Sequence, residues 1–405
     1  MTALATQTRI VRAGPRTISL RPGGPDTAIW SLDGPDLRFR RGDFQEIQFG
    51  NDLPVATALN WRGIDGASAA EPLAARRPLA TGAKDSFAIP LRQAGTFFCD
   101  PGLLGDGKDR PSRGAPLIIG ESEAVGVDRD EVLLFEDWRL RADGTAIAPG
   151  IAPKGTAPIY TVNGVRTLDI PARAHDRLRL RFINGFQRNV IALKIENASP
   201  WVMALDGQPA EPFLARNGAV VLAPGARLDA FIDAAPGSTS SILLHDGTEA
   251  RPMVRLIASA EAPVRAAPLG VAPPLPSNGL PIRLDLKAAL RVDLPLGASP
   301  ADWVRPTDFT ASAAPAFSAK AGRTVVLALA NRADATTVFH LHGHHFRLLD
   351  RLDDGWKPFW LDTLAVEAGQ TQRIAFVAEH AGRWLLETMA TDWAAPRLVR
   401  WYSVA

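Results

Sequence analysis

The sequence predicts an all-β protein built from three consecutive β-domains. Short apolar segments recur roughly every eight to twelve residues, and within them apolar and polar residues alternate. Gly, Pro and Asp separate the segments, and the 34 glycines and 33 prolines would interrupt any long helix. No stretch carries the 3.6-residue apolar period over the length of an ordinary helix. Antiparallel sandwiches or barrels are the architectures that fit.

The segments are taken in chain order. In the first domain, residues 1–125, DFQEIQFGND and APLIIG read as strands. A break near Glu121 to Asp130 precedes the second domain, residues 126–262. There DRDEVLLFEDW, RTLDIPA, DRLRLRFING and GAVVLAPGARLDAFIDAA alternate in the same way, and the carboxylates of the first of these belong to strand and turn. The Pro- and Ala-rich stretch APVRAAPLGVAPPLPSNGLP cannot donate a regular ladder of hydrogen bonds, so residues 263–280 are expected to form a linker. The third domain, residues 281–405, opens its alternation with GRTVVLALANRA. No tight sequence repeat joins the three domains. The division rests on strand spacing, and the linker is its clearest boundary.

Composition narrows the function. With 405 residues, 46% of them hydrophobic, the chain can bury several cores. A formal net charge of +2 argues against a general nucleic-acid surface, and no apolar run is long enough for a membrane-spanning helix. The single cysteine, Cys99, excludes an intrachain disulfide and reads as a small buried side chain. The opening MTALATQTRIVRAG lacks the apolar core of a signal peptide. Two locations stay open: the cytoplasm, or the periplasm with a leader removed. GxSxG, Walker and CxxC motifs are absent.

The chemistry concentrates in FHLHGHHF, which holds four of the seven histidines. His340 and His342 are two apart, so a strand points both imidazoles to one face, where a metal could bind. Two surface histidines on a strand are the alternative reading of that pair alone. His344 and His345 are expected to be structural or exposed. Trp356 and Trp360, in DDGWKPFW, are expected in an exposed loop, packing or meeting a partner.

TTVFHLHGHHFRLL, followed by FWLDTLAVEAGQTQRIAFVAEHAGRWLLE, resembles the last domain of the multicopper oxidases. GNDLPVATALNWRGIDG and QAGTFFCDPG match that family's two first-domain motifs in position, and IYTVNGV, LRLRFINGF, MALDGQPAEP and LAPGARLDAFID look like its middle domain. The resemblance covers nearly the whole chain. It implies three cupredoxin-like Greek-key β-sandwich domains.

The resemblance also shows what is missing. The family's first histidine pair falls on Asn60 and Arg62, and its second on Asp100 and Gly102. Its blue-copper histidine falls on Thr337, while His340 and His342 keep their identity. Glu387, Thr388 and Met389 stand where His-Cys-His is expected, with Trp393 at the final histidine and Leu398 at the axial position. A threonine hydroxyl at Thr388 cannot replace the thiolate that makes a blue copper site. The pattern therefore implies no catalytic residues, no cofactor (copper if any), and a core rebuilt without metal. In that core Arg62 should pair with Asp100 or Glu387, Glu387 should accept from His342, and Trp393 and Leu398 should plug the blue-copper pocket.

Three functions follow from this reading. The first is a non-catalytic periplasmic scaffold with protein partners in the cell envelope, for which a copper-free, exported cell-division protein of the family is a precedent. The second is a copper-binding oxidoreductase with a reduced or altered site. The third is a mononuclear metal binder at His340 and His342, completed by Glu387 or Asp100.

Overall fold

The computed structural model describes residues 8–33, 37–297, 302–350 and 355–405, so the first seven residues of the opening segment and residues 351–354 of the DDGWKPFW region lie outside the described residues. The regular secondary structure of the described residues is strand, apart from three short 3-10 turns at Ser68–Ala70, Arg216–Gly218 and Pro306–Asp308. Six sheets pair face to face around three apolar cores, giving three cupredoxin-like β-sandwiches.

The three sandwiches repeat one topology. In each, the opening strand lies parallel to a later one: Thr8–Ile18 to Phe44–Asn51, Arg129–Arg139 to Arg177–Asn184, and Leu290–Leu296 to Thr324–Asn331. That later strand then pairs antiparallel with Lys84–Pro90, Arg227–Asp233 and Thr371–Val377 respectively. In the facing sheet the parallel pair recurs, Leu37–Arg40 with Ala115–Gly120, Leu168–Ala172 with Ala250–Ala258, and Ser318–Ala319 with Arg397–Val404. Such non-sequential neighbours are the Greek-key crossovers.

One hydrogen-bonded device closes all three. Asn51, Asn184 and Asn331 end equivalent strands and are fully buried. Each carboxamide oxygen accepts from the amide two residues on (Leu53, Phe186, Ala333). Each carboxamide nitrogen donates to Leu79, Leu222 or Val366 across the sandwich. Three residues beyond that acceptor, a glycine with left-handed φ (Gly82 76°, Gly225 83°, Gly369 71°) donates its N–H to the asparagine carbonyl. The motif satisfies backbone groups that a buried loop would otherwise leave unpaired.

The domains are welded together by side chains. Val338 and Met389 of the third sandwich pack into the core of the second. Leu103 and Leu104 of the first meet Leu385, Val399 and Trp401 of the third. Residues 259–289 hold no strand. Within them Ala272 and Leu275 bury against Met203 and Phe231, and the Asn278 carboxamide bonds Ala94, Gly207 and Gln208. The stretch is a strap laid over two sandwiches.

Candidate functional site

Two strands of the first sandwich face three of the third. Asn60–Arg62 pairs with Gly95–Asp100, setting Asn60 opposite Asp100. Thr337–Leu341 pairs with Gly382–Ala390, setting His340 opposite Glu387, and Gly382–Ala390 pairs with Arg397–Val404, setting Met389 opposite Arg397. Charged residues are carried to the junction because alternation on these strands sends their neighbours, Trp61, Cys99 and Phe339, into the domain cores.

Glu387 is the hub and has no solvent exposure. Its Oε1 accepts from Asn60 Nδ2 at 2.6 Å and from His342 Nε2 at 2.7 Å. Its Oε2 accepts from Arg62 Nη2 at 3.1 Å, with Arg397 Nη1 3.5 Å away. Burial opposes its charge, but Arg62, Arg397 and His342 outweigh burial and hold the carboxyl well below its ordinary range.

His342 has a second acid partner, Glu71, whose Oε1 lies 2.8 Å from Nδ1. Burial opposes protonation here too, yet Glu71 and Glu387 push the imidazole up to about 9. His342 is therefore an imidazolium with both nitrogens donating. Arg397 reaches Asp100 at 3.3 Å. The cluster balances three cations, Arg62, Arg397 and His342, against Glu387, Glu71 and Asp100.

Geometry thus meets the expectation for Arg62, which contacts Glu387, one of the two partners expected for it. Arg397, not Arg62, is the partner of Asp100, because the strand Arg397–Val404 delivers its guanidinium there. Arg62, Asp100, Met389 and Arg397 share the wall of one small cavity. Gly102 donates its amide to Asp100 Oδ1 at 2.6 Å.

His340 contrasts with His342. Its Nδ1 lies 3.1 Å from the Asp362 carbonyl and 3.0 Å from Thr363 Oγ1. Burial, then Arg62, lower it to about 4, so it is neutral. His344 and His345 are both buried, not exposed. His344 meets Tyr402 Oη at 2.7 Å, and burial lowers it to about 3. His345 bridges Asp65 of the first sandwich, at 2.8 Å, and the Asp206 carbonyl of the second, at 2.9 Å. Burial opposes its charge, but Asp65 outweighs burial and raises it to about 9. Beside it, Arg227 makes two bonds to Asp362, at 2.6 and 3.0 Å, so all three sandwiches meet in one buried ion network. Trp360 is buried and Trp356 half-buried, both beneath the Arg347 guanidinium, so neither tryptophan is a free loop side chain.

His340, His342 and Glu387 place ligand atoms within 4.8 Å of one another, close enough to share a cation. The donor chemistry does not fit a copper cluster. Ligation needs an imidazole lone pair, and both His342 nitrogens are committed to carboxylates. Only His340 Nε2 keeps a lone pair, and it faces the positive charge of Arg62. At the blue-copper position Thr337 donates to Asn331 at 3.1 Å, and Thr388 is buried. The Trp393 indole donates to the Ala148 carbonyl at 3.1 Å, and Leu398 packs half-buried on the third core. Cys99 lies in the first core, where burial and Asp100 push its thiol up, away from the thiolate a metal needs.

This fold defines a class: a protein of three cupredoxin-like β-sandwiches. Residues 283–405 match the multicopper oxidase domain. The whole chain superposes on a multi-copper oxidase from Pseudomonas thermotolerans with a TM-score of 0.84 and 24% identity, covering 100% of both chains, which establishes the fold. Cell division protein FtsP of Haemophilus influenzae (strain 86-028NP) is 24% identical over 228 residues, 52% of this chain and 48% of that protein. Laccase-7 of Arabidopsis thaliana is 25% identical over 232 residues, 50% of this chain and 39% of that protein. The match thus spans about half the length of these relatives, or less. The chain is a multicopper-oxidase-like protein.

Sequence reasoning missed Glu71 and Arg397. Glu71 follows the turn Ser68–Ala70, off every motif strand, and no local signal marks it. Arg397 did leave one. It precedes Leu398 on a strand, so period two alone sends it to the opposite face, toward the junction.

Proposed function

We propose that this chain is a non-catalytic member of the multicopper oxidase family that carries no copper and acts through protein partners in the cell envelope, in the cell-division role named for its FtsP relatives. The observation that carries this reading is His342, held between Glu71 and Glu387 as a cation where the family's ligand would offer a lone pair. Three domains at 1–125, 126–262 and 281–405, with 263–280 as the linker, are the boundaries we adopt. Among the described residues no helix is long and apolar enough to cross a membrane.

Metal content after growth in copper-rich medium tests the reading, combined with crosslinking in dividing cells. We expect far less than one copper per chain and crosslinks to division-site proteins. Stoichiometric copper would favour the altered oxidoreductase. One zinc or iron per chain, lost on His340→Ala, would favour a mononuclear site, a reading supported by the 4.8 Å grouping of His340, His342 and Glu387. That site would require His342 to give up both acid contacts.

A further inference from the structure

Four buried polar atoms at the junction have no partner among the described residues: Arg62 Nη1, Arg397 Nε, Asn60 Oδ1 and His340 Nε2. All four side chains are at least nine-tenths buried. Their chemistry divides evenly. Guanidinium nitrogens only donate. Asn60 donates its Nδ2 hydrogen to a carboxylate, which fixes the carboxamide and leaves Oδ1 as an acceptor. His340 gives its Nδ1 hydrogen to the Asp362 carbonyl, which leaves Nε2 as an acceptor.

Arg62 and Arg397 line a cavity of about 20 Å³ with Asp100 and Met389. One water needs roughly 10–15 Å³ on the same measure, so the cavity holds one beside the two donors, and Asn60 and His340, which do not line it, need a second. Gly225 keeps this wall open: a Cβ there would come within 2.8 Å of the Arg62 side chain.

We propose that the junction is a built water site, holding a short hydrogen-bonded chain that accepts from Arg62 and Arg397 and donates to His340 and Asn60. An anion would satisfy the two donors and leave both acceptors unpaired. A cation would do the reverse. Three cations already balance three carboxylates, so an ion of either sign would add uncompensated charge to a buried site. A neutral molecule with both hydrogens and lone pairs meets both demands. The chain is polarised, oxygens toward the guanidiniums and hydrogens toward His340, and it links first-domain Arg62 and Asn60 to third-domain His340 and Arg397. The inference rests on the copper-free reading above.

The test is a high-resolution crystal structure of the full, unmodified chain grown in bromide instead of chloride, with anomalous data at the bromine and copper edges. We expect two or more ordered waters within hydrogen-bond distance of these four atoms, and no anomalous peak. Bromide between Arg62 and Arg397 overturns the water site and leaves the copper-free reading standing. Side chains that close on one another with no water between them do the same. Metal on His340 Nε2 overturns both.

Discussion

Glu387→Gln is the sharpest perturbation of the junction, because it removes one charge with almost no change in volume. The carboxylate now takes three close hydrogen bonds, with Arg397 a little farther off. A glutamine presents one oxygen and one NH₂ to those donors, so one side of the hub turns from acceptor to competing donor. The cluster moves from balance to one excess positive charge. Removing one partner of a buried pair costs roughly 3–5 kcal/mol, most of it from the charge left behind. Part of that cost can be relieved, since His342 loses one of its two acid partners and can release its proton. The expected loss is therefore nearer the lower end, about 3 kcal/mol at neutral pH. Urea unfolding followed by tryptophan fluorescence measures it, with and without EDTA. A loss below about 1 kcal/mol would place Glu387 in an ordinary solvated pair. A wild type destabilised by EDTA as strongly as by the substitution would show that metal, rather than this ion network, holds the junction.

Raising the pH from 6.5 to 9.5 should destabilise the protein. His342 and His345 sit at about 9 when folded, above the ordinary histidine value, so their contribution is complete below about 6.5 and is lost as the pH rises through 9. A melting temperature that is flat between pH 6.5 and 9.5, or that rises across this range, would contradict the imidazolium assignment. Asn331→Ala should cost about 2–4 kcal/mol, because it strands Ala335, Val366 and Ala333 backbone groups in a buried loop; denaturant unfolding reads it, and a neutral result would demote the threefold asparagine device. Copper-loaded protein should show no blue band and no oxygen consumption with phenols. Sustained turnover would contradict the role given to Thr388 and Trp393.

Strand rhythm carried the architecture. Alternation in DRLRLRFING and GRTVVLALANRA was enough to predict strands, which now run from Arg177 to Asn184 and from Thr324 to Asn331. The threefold repeat was present in the sequence, but not in its hydrophobic residues. It lies in a strand-ending asparagine and in the later segments LATG, LAPG and VEAG, whose glycines return to it. Many apolar side chains can fill a sandwich core, so they drift between copies. A left-handed turn that donates to a buried asparagine tolerates far less change.

The junction was only partly legible, for a physical reason. The resemblance to the multicopper oxidases assigns Arg62, His342 and Glu387 to ligand positions around one cluster, which is why they could be placed together in advance. Their partners obey a global condition, charge neutrality in a buried volume, that no local spacing encodes. With Arg62, Arg397 and His342 positive, two carboxylates would leave an uncompensated buried cation, and Glu71 supplies the third from a turn outside the motifs. That condition also bears on metal. A divalent ion beside His340 would have to displace at least one of these cations from its carboxylate, and the imidazolium of His342 is the only one that can leave by losing a proton. Copper or zinc should therefore bind, if at all, only as the pH rises through about 9, where His342 discharges. Equilibrium dialysis against zinc at pH 7 and at pH 9.5 decides it: binding already saturated at pH 7 would show that the cations yield far more easily than their burial implies.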